Sequence, residues 1–105
     1  MITKDLLRSI RNDSPMKLTI ARLRQHGPIT KQVDGDFRFQ CPACGELRAT
    51  VNPRNNLSHC FSCGTNFNNI DLLMTQGYDF LPAVSILENW LEQYRRDLGQ
   101  AKRHA

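Results

Sequence analysis

The sequence predicts a small α+β fold: a three- to four-stranded antiparallel ribbon with two CxxC knuckles, flanked by N-terminal and C-terminal helices. Three observations predict it. The four cysteines fall as two CxxC pairs. Short β-prone runs, separated by turn residues, surround those pairs. Apolar residues recur at helical spacing on either side of the ribbon.

Residues 1–28 read as an N-terminal helical segment. Thr3-Lys4-Asp5-Leu6-Leu7-Arg8-Ser9-Ile10 is a helical pattern with Thr3 as its cap. Asn12-Asp13-Ser14-Pro15 breaks it. Ser14 then Pro15 restarts a helix, because proline at the first helical position gives up no needed hydrogen bond. Met16, Ile20 and Leu23 follow at helical spacing, and His26-Gly27-Pro28 ends the element.

Residues 29–67 read as the ribbon. Ile29 to Val33 and Phe37 to Gln40 flank Asp34-Gly35-Asp36, a hairpin signal because glycine accepts the positive φ of a tight turn. Leu47 to Val51 and Leu57 to Phe61 are two further strands, joined by the turn-like Asn52-Pro53-Arg54-Asn55-Asn56. Residues 68–98 return to helix and are expected to pack on the ribbon. Asn68 or Asn69 caps Ile70-Asp71-Leu72-Leu73-Met74-Thr75-Gln76, and Gly77 stops it. Asp79 caps a last helix that tolerates Pro82 in its first turn. There Phe80, Val84, Leu87, Leu91, Tyr94 and Leu98 predict one buried stripe over about five turns. Residues 99–105 read as a flexible tail. The segments together form one structural domain.

The chain has 105 residues and a formal net charge of +4. A domain this small buries only roughly 60–65% of its unfolded surface, so its core is marginal without added support. It leaves no room for a polymerase or a large cofactor-binding domain. Apolar residues make up 40% and charged residues 23%, a globular balance. No apolar run approaches the ~18 residues of a membrane span, so no membrane partner is expected. Met1-Ile2-Thr3-Lys4-Asp5 lacks the apolar stretch of a secretion signal, which makes a reducing, cytoplasmic location the expectation. The charge is uneven. Residues 1–33 carry Lys4, Arg8, Arg11, Lys17, Arg22, Arg24 and Lys31 against Asp5 and Asp13, while the other two thirds are close to neutral. Such a bias favours polyanionic partners without proving one.

Cys41-Pro42-Ala43-Cys44 and Cys60-Phe61-Ser62-Cys63 are separated by fifteen residues. In a reducing compartment four cysteines need a purpose other than disulfides. CxxC spacing lets one tight turn offer two thiolates to one ion, and Gly45 and Gly64 ease each turn. Two such knuckles make a closed four-thiolate site, best suited to one structural Zn²⁺ per chain. An iron–sulfur cluster also accepts two CxxC pairs, and a redox dithiol needs only one. His59, beside Cys60, is better placed as a strand residue than as a ligand. His26 and His104 read as ordinary loop and tail residues.

The run Val51-Asn52-Pro53 followed by His59-Cys60-Phe61-Ser62-Cys63-Gly64 resembles the zinc-binding domain of bacterial and phage DNA primases. Cys41-Pro42-Ala43-Cys44 is similar to that family's first knuckle, in an all-cysteine form. Ile70-Asp71-Leu72-Leu73-Met74 resembles the helix after the second knuckle, and Phe80, Ala83 and Val84 the last element. The resemblance covers about residues 29–95. It departs where the family usually has His in place of Cys44, and where Asn66-Phe67-Asn68 replaces two glycines and an aspartate. It implies a bacterial, phage or mobile-element origin and a zinc ribbon that reads single-stranded DNA template. The family's catalytic domain has no counterpart after the ribbon. The expectation is therefore not an enzyme, but an accessory that acts with a separate primase catalytic subunit, helicase or other replication protein.

Single strands bind flat sheets by stacking bases on aromatics and placing phosphates beside Arg and Lys. The candidate contacts are Lys31, Arg38, Arg48, Arg54, His59, Phe61 and Phe67. Alternation puts Phe37 and Phe39 on one face and Arg38 on the other, so the phenylalanine pair is assigned to the core. Phe67 is the expected exposed aromatic. Glu88, Glu92 and Asp97 read as a solvated helix face. The alternative function is a zinc-stabilised protein–protein interaction module that docks through residues 80–98 and binds no DNA.

Overall fold

The computed structural model describes residues 2–23 and 27–103, with backbone alone at Val33 and at residues 100–103. The readings of His26 and His104 lie outside those residues. The chain forms α1 (Lys4–Asp13) and α2 (Met16–Leu23), then strands β1 (Thr30–Val33), β2 (Asp36–Phe39), β3 (Ala49–Asn52), β4 (Leu57–Cys60) and β5 (Asn66–Phe67). Helices α3 (Asn69–Thr75) and α4 (Phe80–Arg103) complete it. The strands pair in sequence order as an antiparallel five-stranded meander.

Local chemistry explains most element ends. Thr3 caps α1, its hydroxyl accepting from the Leu6 N–H at 3.0 Å. Asn68 and Asp71 form a reciprocal capping box on α3. Gly77 follows α3 with φ 98°, a conformation glycine adopts without strain. Val33 pairs with Asp36, leaving Asp34 and Gly35 as a two-residue turn at φ 49° and 85°. Two successive positive φ values match the right-handed strand twist, which is why Asp-Gly succeeds there.

Three features differ from the sequence expectation. A fifth strand is present because the second knuckle turns the chain back along β4, pairing Ser58 with Phe67 and His59 with Asn66. At two residues it is too short for periodicity to reveal. Helix α4 continues to Arg103, through the first part of the expected tail. Its stripe is buried at Val84, Leu87 and Leu91, but Phe80 and Leu98 are exposed. At 1.5 Å per residue α4 spans about 36 Å against about 15 Å for α1, so its ends overhang the core.

One core joins every layer. Ile10, Met16, Ile20 and Leu23 of the first two helices meet Phe39, Ala49 and Phe67 of the sheet, and Leu72, Leu73, Val84, Leu87 and Leu91 of the last two helices. The four described helices therefore cover one sheet face, and the other carries Lys31, Arg38, Thr50, His59 and Asn66. Among the described residues no helix is long and apolar enough to cross a membrane.

The join between α1 and α2 is held from a distance. The Asn56 Nδ2 donates to the carbonyls of Arg11 (2.7 Å) and Ser14 (2.6 Å), and its Oδ1 accepts from the Met16 N–H (2.9 Å). Asn56 thus satisfies the first free amide of α2, a role the sequence pattern assigns to Ser14. Asn69 donates to the Ile10 carbonyl at 2.7 Å. Asn56→Gly keeps the positive φ but removes these bonds. At about 0.5–1.5 kcal/mol each, their removal should lower stability by about 2–3 kcal/mol in urea unfolding of the metal-loaded protein. A decrease under about 0.5 kcal/mol would show that this side chain does not tie helices to sheet.

Candidate metal centre

Each knuckle follows the same local plan. Gly45 donates its N–H to the Cys41 carbonyl and Gly64 to the Cys60 carbonyl, both at 2.8 Å. Both glycines sit near φ 80°, so the turn closes without a Cβ clash. The Cys41 N–H returns to the Glu46 carbonyl (2.8 Å) and the Cys60 N–H to that of Thr65 (3.0 Å). Backbone amides then face the sulfurs: Ala43 to Cys41 and Ser62 to Cys60, each at 3.4 Å. The glycines permit the turn, but the residues before them carry those amides.

The knuckles meet crosswise. Cys41 and Cys63 sulfurs lie 3.7 Å apart, and those of Cys44 and Cys60 lie 3.6 Å apart. All four Sγ atoms fall within 4.8 Å of one another, and none is in a disulfide. A tetrahedral ion with sulfur bonds of about 2.3 Å has sulfur–sulfur edges of about 3.8 Å. The donor set therefore fits a single metal ion closed on four sides. Cys41 and Cys60 are buried, while Cys44 and Cys63 lie at the surface.

The thiols differ in acidity. Burial, the largest influence on Cys41, pushes it up. At Cys44 the Glu46 amide pulls down, but desolvation and the neighbouring thiols together raise it to about 12. The Thr65 hydroxyl and backbone amide stabilise the Cys63 thiolate and lower it to about 6. Cys63 is thus already a thiolate near neutrality, whereas Cys41 and Cys44 hold protons that an arriving cation displaces.

The other candidates are distributed over the outer face. Lys31 pairs directly across from Arg38. Arg48 precedes Ala49 and accepts, through its carbonyl, the Phe61 N–H at 3.2 Å. Phe61 is 64% exposed and stands edge-on to His59, with ring centroids 4.8 Å apart. The His59 Nδ1 lies 2.8 Å from the Asn66 Oδ1, outside the sulfur cluster. Arg54 stands apart in the β3–β4 turn, at the far end of β3 from Arg48. Phe67 must be corrected: it is 5% exposed, because β5 alternation points it with Ser58 into the core. On the ribbon's outer face the exposed aromatic is Phe61 instead. Phe39 is fully buried and Phe37 packs partly against the core, as their alternation requires.

Lys17 is not among the sequence candidates. Its ammonium sits 5.0 Å from the centre of the Phe37 ring, and it lines a cavity of about 450 Å³ together with Arg38, Arg48 and Phe61. Only the position of Lys17 one residue after the buried Met16, off the apolar stripe, hints at its exposure.

No family model, curated protein or solved structure matches this chain.

Metal uptake should release protons. Titrating the metal-free protein with Zn²⁺ as probe ion at pH 7 should release at least the Cys41 and Cys44 protons, counted calorimetrically in two buffers of different ionisation enthalpy. Below about pH 6 the Cys63 proton also competes, so affinity should fall more steeply with acid. A pH-independent affinity would rule out thiolate ligation.

Proposed function

We propose that this chain is a primase-type zinc ribbon that binds single-stranded DNA template. Zn²⁺ holds the ribbon together, and the outer sheet face meets the strand. In this reading the chain has no catalytic step of its own. It supplies template recognition to a separate primase catalytic subunit, helicase or other replication protein in the cytoplasm.

Sulfur spacing supports a single ion over an iron–sulfur cluster. A cluster of two or four irons spreads its thiolates over separate metal atoms, whereas these four sulfurs lie within 4.8 Å. A closed four-thiolate donor set suits zinc, leaves no position for a reacting water and serves structure. The observation that carries the DNA reading is the composition of the outer face. Arg38 and Arg48 lie there beside the exposed Phe61, with Lys31 across from Arg38, while Phe39 and Phe67 belong to the core. Cations next to an exposed ring are what a single strand requires, since phosphates take the charge and bases stack.

A second reading has its own observation. Met74, Tyr78, Phe80 and Leu81 are all exposed around the turn from α3 into α4. An apolar group of that kind suits a protein partner. This is the docking-module alternative, displaced from the 80–98 stripe to the start of α4.

Two measurements decide between them. Elemental analysis should find one zinc per chain, and Cys60→Ser should lose both the metal and the ribbon fold. Fluorescence anisotropy should show micromolar or tighter binding to oligothymidylate that weakens with salt, each neutralised phosphate adding about 0.7 to the steepness of the salt dependence. Arg38→Ala and Arg48→Ala should each weaken binding about 3- to 10-fold without lowering the melting temperature. Absence of binding at low salt would leave the docking reading standing.

A further inference from the structure

Strands β2 and β3 touch at one residue pair only, Phe39 with Ala49. Beyond it they part, and the 450 Å³ cavity opens between them. That volume falls within the about 300–1,000 Å³ typical of small-ligand sites. Its walls come from both faces of the sheet. Arg38, Arg48 and Phe61 reach it from the outer side, while Phe37, Val51 and Lys17 of α2 close it from the helix side. Three cations face one carboxylate, that of Asp36. The Phe37 ring holds the Lys17 ammonium at the wall rather than leaving it to wander, since a cation is attracted to a ring face.

We infer that this notch is a one-nucleotide subsite, in which Lys17 takes a phosphate of the single strand and Phe61 stacks on the adjoining base. The inference rests on the single-strand reading of the sheet face proposed above. It adds a residue from outside the ribbon and places one nucleotide in the parting of the sheet. The notch does not extend as a phosphate track. A second cavity shares Lys17 and Val51 as its wall, but there Lys17 faces Asp13 and no other cation. Asp13 is itself paired with Arg95 at 3.1 Å. The basic lining therefore does not continue past Lys17 into the second cavity.

The test uses the full zinc-loaded chain and two probes, a twelve-residue oligothymidylate and an abasic oligomer of the same length. Lys17→Met keeps the aliphatic stem over Phe37 and removes the charge. It should weaken binding of both probes about 3- to 10-fold and lower the salt slope by about 0.7, the value for one phosphate on a single strand. Phe61→Ala should weaken binding of the oligothymidylate alone. Lys31→Ala, on the sheet face outside the notch, reports on the sheet reading separately. If Lys31→Ala weakens binding but Lys17→Met matches the wild type in affinity and slope, the notch is overturned and the sheet face stands. If the wild-type chain binds neither probe, both fall. Zinc content and melting temperature verify that each variant is folded.

Discussion

Four sulfur atoms within 4.8 Å of one another can share that space only as thiols or around a cation. As thiolates alone they would repel, and Cys44, against the pull of the Glu46 amide, is raised to about 12 by desolvation together with its neighbouring thiols. A cation reverses the sign of the interaction and makes closure of the cluster favourable. The arrangement of the central strands follows that closure. Cys41 lies just beyond the end of β2 and Cys60 closes β4, so the cluster pins the two strands that flank β3. Without it, the sheet would rest on four-residue strands and on a single pair between β2 and β3.

The same constraint creates the open side of the molecule. The knuckles gather the strands at one end, near Phe39 and Ala49, and leave β2 and β3 free to part toward the other. The helices take the opposite course. Asn56, in the β3–β4 turn, grips the join of α1 and α2, and Asn69 grips the end of α1. Both asparagines hold the helices against one face, so the apolar surface of the sheet is covered by them. The outer face is left with the polar half of each strand. Among the described residues no helix is left to cover the second side.

Local patterns are legible in the sequence where the chemistry is local. The Thr3 cap, the Asn68 cap, the Asp34-Gly35 turn and the four clustered cysteines all depend on neighbours within a few residues, and the structure contains each of them. What escapes a reading of the sequence depends on distant partners. Asn56 has the character of an ordinary turn residue until it is seen to cap a helix forty positions earlier. Phe67 is expected at the surface because it stands where the resembled family has a glycine, and the two residues of β5 carry no period that would place it in the core. Phe61, a candidate contact on sequence grounds, is turned outward by the knuckle. The Phe80-to-Leu98 stripe is correct in phase but not in reach, since periodicity describes a helix and not the width of the core beneath it.

Charge follows the same logic. The basic excess lies in the first third of the chain, which by counting alone would direct a polyanion to α1 and α2. Geometry distributes those charges differently. The Arg22 guanidinium is engaged with Gln93 at 2.8 Å and lies over Trp90, so it fastens α2 to α4. The Arg11 Nε donates to the Leu7 carbonyl in its own helix. Among the described residues, Lys17 lies at the parting of β2 and β3 and Lys31 lies across from Arg38. Beside them stand Arg38 and Arg48 from the ribbon itself, whose segment is neutral overall because Asp34, Asp36 and Glu46 offset its three arginines. Net charge by segment therefore hides the basic surface. The outer face gathers Lys31, Arg38 and Arg48 from two segments, with Lys17 reaching the same notch from the helix side, and that collection, not the +4 total, is what a phosphate chain would meet.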